Sequence, residues 1–240
     1  MKLPYAAIKW ENNEELFNKW KQGMTGCPIV DAAMRHLNTT GYMPNRLRMV
    51  VANYLVKDLL IDWRKGEQYF ATKLVDYDPS QNSGGWQWAA GCGTDSQPFF
   101  RIFNPKLQSQ KFDTNCEYIL KWIPELKGVK INHIHDWEEN YKLYKDKKLN
   151  YPDPIVKHST QKEKCLKMFK TALYGDNDDS EEAKDNYYDD SDNEPKKRKD
   201  YDGKENPKGR KVVKKTGKDD NKTQTILDSS LAVSAKKKKK

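Results

Sequence analysis

The pattern of apolar and polar positions predicts a helix that starts at Pro28 and ends at Gly41. Its apolar residues recur at the i, i+3, i+4, i+7 spacing that places them on one helix face: Val30, Ala33, Met34 and Leu37. Proline suits the first helical position, where its missing N–H is not needed, and glycine suits the position after the last turn. We therefore expect one amphipathic helix between these two residues.

A second apolar stripe follows directly. It has a spacing of four and consists of Leu47, Val51, Leu55 and Leu59. Lys57 and Asp58 fall outside this stripe, so a regular helix would place both side chains away from the core.

Helical segments separated by breakers make up the rest of the apolar sequence. The pattern predicts helices over 63–74, 86–90 and 106–122, and Pro124 ends the last of them. Residues 76–79, Asp-Tyr-Asp-Pro, predict a loop, because the residue before a proline disfavours helical geometry. No alternating apolar run with β-branched residues and hairpin turns occurs, so the predicted fold class is all-α.

The composition changes near residue 175. All seven Trp, all seven Phe and all four Cys lie in residues 1–175, whereas residues 176–240 have only three Tyr as aromatic residues. A segment with so little apolar surface cannot offset the entropy lost on folding. We expect a folded domain over residues 1–172 and a disordered, charged tail over residues 173–240.

The charge is distributed unevenly along the chain. Residues 1–175 carry 26 basic against 19 acidic side chains, residues 176–194 carry one against ten, and residues 195–240 carry 17 against six. A basic folded part is compatible with a polyanionic partner, although many solvated surfaces are basic. In the tail, a basic tetrad resembles a nuclear import signal, which predicts an import receptor as a partner and a nuclear location, with the cytoplasm as the alternative. The tetrad consists of Lys196, Lys197, Arg198 and Lys199.

Several classes of protein are disfavoured by what the sequence lacks. It has no apolar run long enough for a membrane span, and its N-terminus does not resemble a secretory signal peptide. The four Cys are widely spaced, so we expect reduced thiols rather than a zinc site or a disulfide scaffold. His133 and His135 have no third ligand cluster, so no metal is expected. We expect a monomer with no membrane partner.

The tryptophans are more informative than the rest of the chemical inventory. Trp86 and Trp88 follow two glycines, which let the backbone approach a flat group closely. Arginine and aspartate side chains beside aromatic planes would suit a planar cofactor with polar ring edges, and equally a stacked nucleobase. No G-x-S-x-G, H-E-x-x-H or phosphate-loop motif occurs, which disfavours hydrolysis and phosphoryl transfer but leaves cofactor-based redox chemistry.

A series of motifs resembles the flavin-binding domain of the photolyase and cryptochrome family. The motifs are WKQGMTGCPIVDAAMR over 20–35, GYMPNRLRM over 41–49, KDLLIDWR over 57–64, the stretch 76–88, and RIFNP over 101–105. The match is continuous from about Trp10 to Pro154. Within the family, Met49 and the sequence GGWQWAA over 84–90 are most similar to class I cyclobutane pyrimidine dimer photolyases.

The resemblance implies FAD as the cofactor and damaged DNA as the partner. In this family, light-excited reduced flavin gives an electron to a pyrimidine dimer that has been flipped out of the helix, and the dimer splits. Such an enzyme, a DNA photolyase, requires an electron source and a lesion pocket rather than a general base. An antenna chromophore, folate or deazaflavin, would belong to an N-terminal α/β domain that has no counterpart in this sequence.

The resemblance also implies a flavin-binding role for five residues. Asn82 matches an amide beside flavin N5, where it helps to stabilise the reduced flavin. Asp76 and Asp78 match residues at the ring edge and the ribose. Arg48 matches the charge partner of Asp76, and Asn45 matches a polar contact between flavin and lesion.

The remaining matches concern electron transfer and DNA. Three residues match a tryptophan chain that carries an electron from the surface to photoexcited oxidised flavin: Trp86, Trp63 and Trp10. Trp88 and Met49 match the lesion pocket. Three basic residues match the groove that binds the phosphates around the lesion: Arg46, Arg101 and Lys111.

Two departures from the family leave three interpretations open. Pro44 stands where the family usually has His, and it removes a donor and fixes φ. The first part of the flavin domain, with its phosphate-binding loop, has no match. The chain therefore represents part of a photolyase, a cryptochrome-type photoreceptor that signals through its tail, or an inactive remnant that binds DNA. Met49 and Trp88 favour the first over the second.

Overall fold

A computed structural model describes residues 3–93, 100–147, 149–174 and 187–189. Met1–Pro195 form one compact unit. The second unit, Lys196–Lys240, lies outside the described residues, and so does the basic tetrad. The prediction of an import signal there stays a prediction.

The described residues are mainly helical, and the prediction of an all-α fold class is confirmed. Their α-helices are α1 (Glu14–Gln22), α2 (Pro28–Thr40), α3 (Asn45–Asn53), α4 (Trp63–Lys73), α5 (Pro79–Ala90), α6 (Pro105–Phe112), α7 (Glu117–Trp122), α8 (Ile131–His135), α9 (Trp137–Asn140) and α10 (His158–Tyr174). Short 3₁₀ segments occupy Leu3–Ala7, Pro124–Leu126 and Tyr141–Lys147. No helix among these residues combines the length and apolar character needed to cross a membrane.

Helix α2 lies at the centre of the core and has the predicted ends. Pro28 is its first residue, and Gly41 follows it with a left-handed φ of 72°. The Gly41 N–H donates to the Leu37 carbonyl at 2.8 Å, which satisfies one of the last carbonyls of the helix. Because α2 packs against α1, α3 and α7, it positions the elements that carry the candidate site.

The helix after Gly41 differs from the prediction because it changes its winding. Helix α3 ends at Asn53, and Tyr54–Asp58 continue as one turn of π-helix. The extra residue in a π turn rotates the following side chains relative to a regular helix. The rotation does not decide burial here, because helix α10 packs against this segment and all residues from Val50 to Ile61 are buried. Asp58 bonds to His158 and Gln161 of α10, and Lys57 lies over the Phe169 ring. Lys57 and Asp58 each have 1% of their surface exposed, and the prediction that they point away from the core is wrong.

Helix α5 begins earlier than predicted. The Asp78 carboxylate caps it by accepting from the Gln81 N–H at 2.7 Å, and Pro79 is its first residue. This strong start signal carries the helix through Gly84 and Gly85, although glycine weakens helices. A second difference concerns the predicted helix over 106–122, which consists of two helices, α6 and α7.

The break between α6 and α7 is stabilised by a carboxylate. The Asp113 side chain accepts from the N–H groups of Tyr118 and Ile119 at 3.0 and 2.9 Å. Cys116 precedes α7 with a left-handed φ of 54°. An aspartate that caps the following helix in this way separates the two helices where the apolar pattern is continuous.

Two short strands pair in parallel. Strand β1 (Phe100–Ile102) aligns Arg101 with Tyr188 of strand β2 (Tyr187–Asp189). Strand β2 lies in the segment for which the composition predicts no folded structure, and its two adjacent Tyr residues favour extended geometry. Apart from β2 and the last two residues of α10, the predicted tail lies outside the described residues.

A buried carboxylate joins distant parts of the chain. Asp31 accepts hydrogen bonds from the Thr25 N–H, the Thr25 hydroxyl, the Gly26 N–H and the Tyr151 hydroxyl, at 2.6 to 2.9 Å. Burial raises the pKa of this carboxyl, and the hydrogen bonds oppose that rise. A Cβ on Gly26 would lie 2.4 Å from the Asp153 carbonyl oxygen, so this close contact requires glycine.

Candidate functional site

A cavity of about 180 Å³ opens between α3, α5 and the loop that joins α4 to α5. It contains six of the residues for which the resemblance implies a role in flavin or lesion binding, together with Trp86. The lining residues are Asn45, Arg48, Met49, Ala52, Phe70, Leu74, Asp76, Asp78, Gln81, Asn82, Gly85 and Trp86. The fold thus gathers residues from two sequence segments that are about 30 positions apart.

One edge of the cavity is formed by a charge pair. A terminal nitrogen of Arg48 donates to both carboxylate oxygens of Asp76, at 2.9 and 2.8 Å. The Arg48 Nε donates to the Met43 carbonyl at 2.7 Å, which fixes the direction of the guanidinium. The predicted pairing of Arg48 with Asp76 is confirmed. Because the pair is only partly buried, its polar atoms remain accessible to a ligand.

Asn82 is held in a defined orientation. Its side-chain nitrogen donates to the Glu67 carbonyl at 3.1 Å and to the Glu67 carboxylate at 3.0 Å. These two bonds use both N–H groups of the amide, so its oxygen is the atom left to accept a hydrogen bond in the cavity. Glu67 on α4 is a contributor that sequence reasoning missed, because no spacing rule relates it to Asn82.

The other surfaces of the cavity are flat and apolar. Phe70 and Trp86 are nearly completely buried, and their rings meet edge to face with centres 5.1 Å apart. On α5, a Cβ placed on Gly85 would meet nothing within 4 Å, so the helix backbone is open there. A polar edge, an amide acceptor and an open glycine face together fit one side of a planar heterocycle.

Trp86 depends on a close helix contact for its position. A Cβ on Gly66 of α4 would lie 2.1 Å from the Trp86 ring, so the two helices approach closely only because that residue is glycine. Trp20 also packs edge to face with Trp86, with ring centres 6.1 Å apart. Gly66 and Trp20 are two further residues of the site that the sequence did not single out.

The three tryptophans for which the resemblance implies electron transfer do not have their rings in contact with one another. Trp63 is buried as the first residue of α4, and Trp10 is partly exposed and packs on Phe169 with ring centres 5.9 Å apart. Among the described residues, the aromatic neighbours of Trp86 are Trp20 and Phe70. Trp86 and Trp63 are buried and Trp10 is partly exposed, which is compatible with an electron path from the surface to the cavity.

Trp88 lies outside the cavity lining. It points to a different side of α5 from Trp86, because residues two positions apart differ by about 200° around a helix. Its ring packs against Phe103, with centres 6.1 Å apart, and the Arg101 guanidinium lies 5.8 Å from it. Met49 and Trp88, which the resemblance implies for one lesion pocket, therefore have different immediate neighbours.

The two other basic residues for which the resemblance implies DNA contacts share one aromatic neighbour. Arg46 on α3 and Lys111 on α6 both lie over the Phe112 ring. Both basic side chains are exposed. This arrangement places two cations from separate helices on one surface patch.

The histidines are engaged in hydrogen bonds. His133 contacts the Tyr144 hydroxyl at 2.8 Å, and His135 contacts the Ser109 hydroxyl at 2.6 Å. Within the ranges that the structure describes, no group of three or more His, Cys, Asp or Glu side chains could hold a metal ion.

This fold also occurs in known proteins. The helical fold and the cavity are those of a flavin-binding domain, and residues 1–171 match the family described as the FAD binding domain of DNA photolyase. The chain belongs to this family. It is 54% identical to the deoxyribodipyrimidine photo-lyase of Buchnera aphidicola subsp. Baizongia pistaciae, over 69% of this chain and 34% of the relative.

Two further similarities agree with this assignment. The chain is 50% identical to the deoxyribodipyrimidine photo-lyase of Escherichia coli, over 70% of this chain and 35% of the relative. It is also similar to the crystal structure of the archaeal photolyase from Sulfolobus tokodaii with two FAD molecules. That similarity has a TM-score of 0.63 and 50% identity over 70% of this chain and 37% of the other. The chain thus spans about a third of the length of the curated relatives it matches.

Proposed function

We propose that this chain supplies the flavin-facing and DNA-facing side of a photolyase that repairs cyclobutane pyrimidine dimers in DNA. The observation that carries the proposal is the cavity, where the Arg48–Asp76 pair, the Asn82 amide and the buried Trp86 ring converge. FAD, when bound in its reduced form and excited by light, supplies the electron for dimer cleavage.

The residues of the cavity would bind and orient the flavin. Arg48 and Asp76 would offer a donor and an acceptor to the polar edge of its ring system. The Glu67 contacts occupy the Asn82 nitrogen, so the Asn82 oxygen would accept a hydrogen bond from a ring N–H and would favour the reduced cofactor. Asp78 and Asn45 line the rim of the same cavity and would add polar contacts.

The tryptophans would provide electrons and the lesion surface. Trp86 borders the cavity, and electron transfer to it from Trp63 and Trp10 would restore the reduced cofactor. Trp88 with Arg101 gives a flat ring beside a cation, a combination that suits an unstacked base next to its phosphate. Met49 would contact the lesion from the cavity side.

The decisive experiment is a chimera. Residues 1–171 replace the matching third of the Escherichia coli relative, and the purified chimera is assayed for bound flavin and for light-dependent repair of dimer-containing DNA. We expect the chimera to contain flavin and to repair dimers in the light. Bound flavin without repair would favour a cryptochrome-type photoreceptor, and a folded chimera without flavin would favour an inactive remnant.

Two variants of the chimera separate recognition from electron transfer. Trp88→Ala should weaken binding of dimer-containing DNA by roughly five- to 150-fold more than binding of undamaged DNA, because stacking contributes roughly 1–3 kcal/mol per base. Trp63→Phe should leave lesion binding unchanged and stop photoreduction of oxidised flavin, because phenylalanine is much harder to oxidise. Equal weakening of both DNAs by Trp88→Ala would assign Trp88 to packing instead.

A further inference from the structure

Phe112 is a large apolar ring at the protein surface. It is the last residue of α6, and 45% of its surface is exposed. The Arg46 guanidinium carbon lies 4.5 Å from the ring centre, and the Lys111 ammonium nitrogen lies 5.6 Å from it. Cations within about 6 Å of an aromatic ring centre are attracted by its π face. One exposed ring therefore contacts cations from two helices.

These two cations differ from Arg48, whose charge is paired with Asp76. Within the part of the chain that the structure describes, neither Arg46 nor Lys111 forms an ion pair. Both side chains are exposed, so their N–H groups face solvent. Two cations that share one exposed ring and lack carboxylate partners are suited to a polyanion rather than to the stability of the fold.

The ring offsets two disadvantages of such a pair. Two neighbouring like charges repel each other, and both side chains are long and lose rotational freedom when they bind. Attraction to a common ring keeps the charged groups close together before the partner arrives. Less ordering is then required on binding, which raises affinity without a new contact to the partner.

We propose that Phe112 is a positioning residue that holds Arg46 and Lys111 ready to bind neighbouring phosphates of one DNA backbone. The proposal rests on the proposed function, in which these two cations contact DNA. Phe112 itself had no role in the sequence-based predictions.

The test uses the 240-residue chain and a short, fluorescein-labelled, undamaged duplex in anisotropy titrations at several salt concentrations. Phe112→Leu removes the ring and keeps an apolar side chain, and it should weaken binding by about two- to fivefold, the range expected for an exposed cation–π contact. Phe112→Tyr keeps the ring and should bind as the parent does. The sequence of the basic tail is the same in every variant.

A matched background shows whether the ring acts through the cations. In a chain that carries Arg46→Gln and Lys111→Gln, Phe112→Leu should have no further effect. That background alone should lower the slope of log affinity against log salt by about two, since each phosphate contact contributes about 0.9. A ring that only packs, or that touches DNA itself, would weaken binding equally in both backgrounds, and that result would overturn the proposal.

The remaining outcomes separate this proposal from the proposed function. If Phe112→Leu binds like the parent while the double glutamine variant binds more weakly, the positioning role is wrong and the DNA contacts stand. If the double glutamine variant also binds like the parent, the placement of DNA at this patch is wrong, and the positioning role fails with it.

Discussion

Lys57 is a charged side chain that the fold places in its interior. Its ammonium donates to the Ala90 carbonyl at 3.2 Å and lies 4.0 Å from the centre of the Phe169 ring. Burial nevertheless lowers the pKa of Lys57 from its ordinary value of 10.5 to about 7, because these contacts replace only part of the hydration of the charge. The residue is therefore a source of pH-dependent stability.

The direction of that dependence follows from the lowered pKa. Between pH 7 and 10.5 the unfolded chain binds a proton that the folded chain has released, so the free energy of unfolding rises with pH. Lys57→Met removes this dependence. The free energy of unfolding of the variant minus that of the parent should therefore fall by about 2 kcal/mol between pH 7 and pH 9. Urea unfolding at the two pH values measures this difference, with the exposed Lys127→Met as the control. Parallel pH profiles for parent and Lys57→Met would contradict the expectation.

Individual contacts at the site differ in how far the sequence predicts them. The Arg48–Asp76 pair was predicted from the family resemblance and is present. The bonds from Asn82 to Glu67 join α5 to α4, and neither the helical spacing nor a motif relates these two residues. Contacts between helices depend on how the helices pack, which a pattern within one helix does not contain.

Helix α5 contains two adjacent glycines that lower its stability, and one of them faces the cavity. Gly84 and Gly85 both lie inside it, and a Cβ on either would meet nothing within 4 Å. Only Gly85 lines the cavity. Replacing glycine by alanine inside a helix stabilises it by roughly 0.5–1 kcal/mol, so the pair of glycines weakens the helix without any packing requirement among the described neighbours.

We expect Gly85→Ala and Gly84→Ala to act alike on stability and differently on flavin. Both should raise the free energy of unfolding of the chain by roughly 0.5–1 kcal/mol. In the photolyase chimera, Gly85→Ala should lower flavin occupancy because its methyl group occupies the open face, whereas Gly84→Ala should leave occupancy at the parent level. Flavin absorbance per protein gives the measurement. Equal occupancy in both variants would show that the cofactor does not lie against Gly85.

The ends of the helices follow the sequence where a start or stop residue stands alone, as at both ends of α2. The helix ends differ from the sequence-based prediction where signals for continuing and for ending a helix occur together. Apolar residues continue through Tyr54–Asp58, yet the backbone there forms a π turn. A one-residue change in winding is invisible to a periodicity argument, because the apolar residues on either side still fit a helix. The burial of Lys57 and Asp58 has a second cause that the pattern also omits, the packing of α10 against this turn.

For the whole molecule, the uneven charge predicts where the protein is located. A fluorescent fusion of the full chain should concentrate in nuclei if the basic tetrad binds an import receptor. Changing Lys196, Lys197, Arg198 and Lys199 to Ala should distribute the fusion between nucleus and cytoplasm. As the control, four of the five lysines in the run Lys236–Lys240 are changed to Ala, which should leave the fusion concentrated in nuclei. An unaltered distribution in the tetrad variant would show that the import signal lies elsewhere.

The hydrogen bonds to Asp31 determine how the folded unit opens. Its carboxylate holds the backbone N–H groups of Thr25 and Gly26 in the interior and is itself held by Tyr151, 120 residues along the chain. Those two amides can reach water only when the early and late parts of the domain separate together. In native-state hydrogen–deuterium exchange they should be among the slowest amides, with an opening free energy equal to that of global unfolding. In Tyr151→Phe they should exchange faster than the core amides of α2. The helices that line the cavity and the segment around Tyr151 would then form one cooperative unit, whose opening exposes the cavity and the core together.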